Sequence, residues 1–150
     1  MRNTIRSQET IDYFLKIVWQ TVANRYNQTV SEFGITQSIG YLLINIDEQE
    51  GTTVSNAAAL LGLKSTSLSR MLNQLEKMGL IYRELNPGDK RSVKIYLTDL
   101  GKEKRHMARA VVKQFNSYLN AHISENDKQY LIQMLEKINQ LTLNYKPVTP

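Results

Sequence analysis

Eight neutral or basic polar side chains crowd a stretch of thirteen residues: Ser65, Thr66, Ser67, Ser69, Arg70, Asn73, Gln74 and Lys77. These are the types that hydrogen-bond base edges and phosphates. A guanidinium such as that of Arg70 can clamp two acceptors on a guanine, and the amides of Asn73 or Gln74 can pair likewise with adenine. Hydroxyls at Ser65–Ser67 suit a phosphate if they open a helix, because the first backbone amides of a helix point outward unpaired. Any amphipathic helix also turns a polar face to water. The meaning of this face therefore depends on what surrounds it.

A second polar group follows Pro87-Gly88: Asp89, Lys90, Arg91, Ser92 and Lys94. Arg91 is long enough to enter an A·T-rich minor groove, whose narrowness concentrates negative potential. A carboxylate facing phosphate is repelled, so Asp89 needs another task. It can hold Arg91 through an ion-paired hydrogen bond, or shape the turn through its own backbone.

The charge distribution joins the two groups. The chain of 150 residues has a formal charge of +5. Between Lys64 and Arg105 stand ten basic and five acidic side chains, and the charges elsewhere cancel. The whole surplus thus lies in the segment that holds both polar groups, where a phosphate backbone is the natural partner.

The elements that must position these residues can be read from periodicity. Ile11, Leu15, Val18, Val22, Tyr26, Val30 and Phe33 recur at helical steps, predicting a first helix over 8–33 that Gly34 ends. Thr36 caps a second helix running to about Glu48, with Ile39, Leu42, Leu43 and Ile46 inward. The acidic run Asp47–Glu50 fits no calcium-loop spacing and reads as a solvated turn. After a short extended piece at Thr52–Val54, Ser55 caps a helix through Leu61. Gly62 breaks it, and a helix over Ser65–Lys77 follows with Leu68, Met71, Leu72, Leu75 and Met78 on its apolar face. Two alternating runs, Leu80–Leu85 and Ser92–Leu97, flank Asn86–Arg91 and predict a hairpin with that segment at its tip. Thr98 then caps a helix to about His122, and Ser124 another to about Tyr145.

Helix, glycine-containing turn, helix and two-stranded hairpin make a winged helix-turn-helix. The fold class is mostly α with a small β-wing: a core over 36–97, flanked by N- and C-terminal helices over 8–33 and 98–145, all in one domain. The flanking helices carry more apolar surface than so small a core can bury, so two copies are expected to pack them together as a homodimer. The second helix of the pair then enters the major groove of double-stranded DNA.

Several classes are set aside. With no cysteine, disulfides, thiolate metal sites and cysteine redox sensing are impossible. His106 and His122 stand sixteen residues apart and suggest no metal site. No nucleophile motif or phosphate-binding glycine loop appears, so no catalytic residue and no cofactor is expected. Met1–Ile5 lacks an apolar run behind its charge and no stretch is long and apolar enough to span a bilayer, which predicts a cytoplasmic protein with no membrane partner. The alternative within the fold is a winged helix used for protein or RNA contacts.

The segment Thr53–Gly101 resembles the MarR family of regulators, named for multiple antibiotic resistance. The matching residues are Leu61-Gly62-Leu63, Ser69-Arg70 and Leu75 to Ile81. The sharpest match is Asp89-Lys90-Arg91, with Leu97-Thr98 and Gly101 beyond it. This resemblance implies a symmetric homodimer on a pseudo-palindromic operator, acting as a repressor. It also implies release by a small aromatic or phenolic effector, bound between the dimerisation helices and the winged part. The peroxide-sensing cysteine of some members is missing here.

Overall fold

The computed structural model describes residues 9–148. Gln8, which opens the first expected helix, and the Met1–Ile5 segment lie outside the described residues. Helix α1 spans Ile11–Val30 and runs into a 3-10 turn at Ser31–Phe33, which Gly34 closes. Next come α2 (Gln37–Asn45), β1 (Thr52–Thr53), α3 (Val54–Leu61) and α4 (Ser65–Lys77). The hairpin is β2 (Ile81–Asn86) with β3 (Asp89–Leu97), and the chain ends in α5 (Asp99–His122) and α6 (Glu125–Asn144). The expected fold class holds, with six α-helices among the described residues and one antiparallel sheet in the order β1-β3-β2.

The chain divides into two compact units, one ending at Val112 and one starting at Lys113. In the first, Leu42, Leu43, Ile46, Leu68, Leu72, Leu75, Leu80 and Ile95 are fully buried. The leucines of α2 and α4 thus share one core with Leu80 and with Ile95 of β3. Removing a single such leucine to alanine typically costs about 2–5 kcal/mol.

Local chemistry explains where the elements begin and end. Thr36 accepts a hydrogen bond from the amide of Ile39 and caps α2, as expected. That helix stops at Asn45, short of Glu48, because Ile46 turns extended and the Asp47 carboxylate accepts the amides of Gln49 and Glu50 at 2.8 and 2.7 Å. A side-chain acceptor here competes with the helix for its own donors. Ser55 does not cap α3. Thr53, held extended by pairing with Lys94, accepts from the amide of Asn56 and starts the helix at Val54.

The turn between α3 and α4 is built on Gly62, whose φ of 61° is open to glycine at no steric cost. The amide of Leu63 bonds the carbonyl of Ala58, and that of Gly62 the carbonyl of Ala59, closing α3. The same pair of bonds ends α4 at Gly79, with φ 68°: Leu80 to Leu75 and Gly79 to Glu76, each 2.9 Å. Residues 80 onward are thereby aimed directly into the hairpin.

The second unit is helical. Ser124 accepts from the amide of Asp127 and donates to its carboxylate at 2.7 Å, starting α6 as its spacing predicts. No residue of α6 is buried. Leu131, Leu135 and Leu141 remain exposed, and so do Ile11, Leu15 and Val18 of α1 in the first unit. Among the described residues, no helix is long and apolar enough to cross a membrane.

Candidate nucleic-acid interface

α4 carries its polar face outward along its full length. Leu68, Leu72 and Leu75 are buried, and all eight polar residues expected there, from Ser65 to Lys77, are exposed. At about 100° per residue, Thr66, Arg70, Asn73 and Lys77 fall within roughly 60° of one another at the centre of that face. Gln74 lies on one flank, and Ser69 with Glu76 on the other. No side chain caps the N-terminus at Lys64, so the hydroxyls of Ser65–Ser67 sit beside unpaired first-turn amides.

One residue outside the expected set governs the flank nearest the hairpin. Arg83 of β2 donates from Nε to Glu76 Oε1 at 2.8 Å and from Nη2 to Glu76 Oε2 at 2.6 Å. The same Nη2 donates to Asn73 Oδ1 at 2.7 Å. The Arg83 hydrogen bond, then its charge, holds the Glu76 carboxyl below its ordinary value, against some desolvation. Asn73 is thus exposed yet tied back through its carbonyl, whereas among the described residues no side-chain bond to Gln74 is seen. Periodicity could not have found this link, since it joins residues seven and ten apart across a helix end and a strand.

The hairpin differs from its expected outline. Only Pro87 and Gly88 form the turn, and Asp89-Lys90-Arg91 already belong to β3. The pairing jumps from Leu85↔Val93 to Asn86↔Asp89, so Lys90, Arg91 and Ser92 bulge from the ladder. Lys90 and Arg91 are exposed there. Of the two tasks open to Asp89, the structure has the backbone one: its carboxylate accepts from the Arg91 amide at 2.9 Å. No ion pair joins Asp89 to Arg91 among the described residues. Ser92 is an internal fastener, accepting from Asn86 Nδ2 at 2.9 Å and donating to the Asp89 carbonyl. Lys94 is tied down as well, donating to the Glu50 carbonyl at 2.8 Å. Of the five hairpin residues, Lys90 and Arg91 are the ones left reaching outward as cations.

The first unit also holds a mainly apolar cavity of about 170 Å³. Trp19, Tyr26, Gln37, Tyr41, Ile44 and Val111 are among its lining residues, drawn from α1, α2 and α5. Outside the interface, His122 of the second unit is occupied locally: its Nδ1 donates to the Tyr118 carbonyl at 2.8 Å.

A helix pair joined at Gly62, followed by a hairpin with a basic bulge, defines a winged helix-turn-helix protein. Residues 35–93 match the model described as the MarR family. YdgJ of Bacillus subtilis (strain 168), an uncharacterised HTH-type transcriptional regulator, is 28% identical over 105 residues. That match takes in 70% of this chain and 64% of YdgJ, just under two thirds of the relative's length. SarZ of Staphylococcus epidermidis, an HTH-type transcriptional regulator, is 25% identical over 128 residues, covering 83% of this chain and 81% of SarZ. Among solved structures, the MepR–DNA complex of S. aureus superposes with a TM-score of 0.78 at 24% identity, over 87% of this chain and 96% of MepR. That last likeness is one of fold. Residues 35–93 are a MarR-family domain.

Proposed function

We propose that the chain binds duplex DNA sequence-specifically as a homodimer, laying α4 in the major groove and the bulge at Lys90-Arg91 against the backbone or minor groove. The observation that carries this reading is the α4 face, exposed from Ser65 to Lys77 while Leu68, Leu72 and Leu75 anchor the opposite side. A major groove about 12 Å wide admits such a helix. MepR, which shares the fold, has been solved on DNA.

The dimer rests on the apolar residues of α1 and α6 left exposed in one copy, Trp19 and Leu131 among them. Two-fold symmetry places the half-sites about 10 base pairs apart on a pseudo-palindromic operator. Occupying such a site blocks transcription, so the chain acts as a repressor, in the cytoplasm where the DNA lies. The α1–α2–α5 cavity, flanked by Trp19 and Tyr41, suits a small aromatic or phenolic effector that releases the DNA.

Anisotropy titrations of a labelled duplex and of a single-stranded RNA, each at three salt concentrations, test the reading. It requires duplex binding that weakens steeply with salt. Preference for the RNA, or binding to neither, moves the chain to the protein- or RNA-contact alternative.

A further inference from the structure

Arg83 joins two things that a reader of base sequence needs, a fixed helix flank and a fixed amide orientation. A guanidinium has only donors, so the Asn73 atom that meets it must be the carbonyl oxygen. That bond takes one of the oxygen's two lone pairs and sets a cation beside the other, which disfavours a second donor there, so the Asn73 amide group, Nδ2, is the end better placed for an outside partner. Pairing with adenine through two bonds needs both ends of the amide, one accepting from N6 and one donating to N7. Guanine offers two acceptors, O6 and N7, and no donor at that edge. Thymine offers the O4 acceptor.

We infer that Arg83 fixes Asn73 as a hydrogen-bond donor on the reading face of α4, so that the base it meets is a guanine or thymine in preference to adenine. Arg83 is a positioning residue: its bidentate grip on Glu76 sets where its Nη2 lies, and that atom takes up the Asn73 carbonyl. The inference rests on α4 being the element that reads DNA. It assigns Asn73 a role that its residue type alone does not, since a free asparagine on a recognition helix is the usual partner of adenine.

Bound duplexes selected from a randomised library and sequenced provide the test. The wild-type chain is compared with Asn73→Ala, which marks the base pair whose preference Asn73 supplies. The expected result is guanine or thymine at that position in the wild type. Asn73→Asp, which keeps a partner for Arg83 and removes the donor, should lose that preference as Asn73→Ala does. Arg83→Met, checked by thermal melting to be folded, frees the carbonyl and should shift the position toward adenine by about tenfold. Adenine already preferred in the wild type overturns the inference. So does an unchanged position in Asn73→Ala or Asn73→Asp, or in folded Arg83→Met. Should Arg83→Met not fold, the wild type and the two Asn73 variants decide. If the wild type enriches no sequence at all, the DNA-reading role of α4 falls first and this inference falls with it.

Discussion

Gly101, in the first turn of α5, lies against the carbonyl of Leu80 so closely that a β-carbon there would overlap the oxygen. The contact is framed by Thr98, whose hydroxyl donates to the Gly79 carbonyl at 2.6 Å and accepts from the Gly101 amide at 3.0 Å. The amide of Thr98 bonds the Leu80 carbonyl as well. Leu97, Thr98 and Gly101 therefore form one joint, fastening the end of the hairpin and the start of α5 to the end of α4. The sequence pattern Leu-Thr-x-x-Gly is the trace of that joint.

Gly101→Ala should destabilise the chain. The obstructing atom is backbone, which cannot rotate aside, and overpacking of this sort costs about 1–3 kcal/mol. The gain in helix propensity offsets at most about 1 kcal/mol of that. Urea denaturation checks it, and a variant as stable as the wild type would show that the α5 start can shift freely.

The limits of α4 were readable beforehand and some of the interface was not. Leucines 68, 72 and 75 announce α4 by spacing alone, and Gly62 and Gly79 announce its limits, because burial and backbone conformation are local demands on residue type. Thr53 and Ser55 are both good caps, and only the pairing of Thr53 with Lys94 decides between them. Asp47 ended α2 early through bonds to its own neighbours, which apolar periodicity does not register. The roles of Asn73, Ser92 and Lys94 were least legible. Each is a polar residue of DNA-binding type whose partner, respectively Arg83, Asn86 and Glu50, is set by tertiary geometry.

The Arg83–Glu76 pair should make stability depend on acid. Glu76 has a folded value held below the ordinary 4.5, chiefly by the Arg83 hydrogen bond. Its contribution is fully present above that ordinary value and is lost as pH falls through the lower, folded one. Denaturation midpoints of Glu76→Gln should therefore lie below wild type at neutral pH and converge with it under acid. A constant gap from pH 7 to below 4 would contradict this.

Arg70 and Lys90 should fail in different ways. Arg70→Ala is expected to cost about 1–3 kcal/mol of affinity and to relax sequence preference, as for a base contact. Lys90→Ala should weaken all duplexes alike and lower the salt slope by about one, as for a phosphate contact. Binding isotherms on two duplexes at several salt concentrations separate the patterns. Identical behaviour of the two variants would misplace α4 or the bulge.

Association should depend on the exposed leucines. The chain has a mass of 17.3 kDa, and equilibrium sedimentation should return twice that for the wild type. Leu135→Glu on α6 should return the single-chain mass and weaken operator binding about a hundredfold or more, the loss expected when two linked contacts become one. A dimer that survives Leu135→Glu would place the interface elsewhere.

Trp19 is the sole tryptophan in the chain and lines the α1–α2–α5 cavity. Its fluorescence should change saturably with a small aromatic acid such as benzoate or salicylate, and Ile44→Phe, which narrows the cavity without adding a second indole, should abolish the change. A linear response, unchanged by Ile44→Phe, would mean that the ligand does not enter.

The most direct test of the central claim is titration onto a duplex taken from the DNA upstream of the chain's own gene, against a scrambled duplex of equal length. The account predicts two subunits per site on the upstream duplex, at least about a thousandfold tighter than on the scrambled one, weakening steeply with salt. Equal binding to both at every salt concentration would contradict sequence-specific recognition by α4.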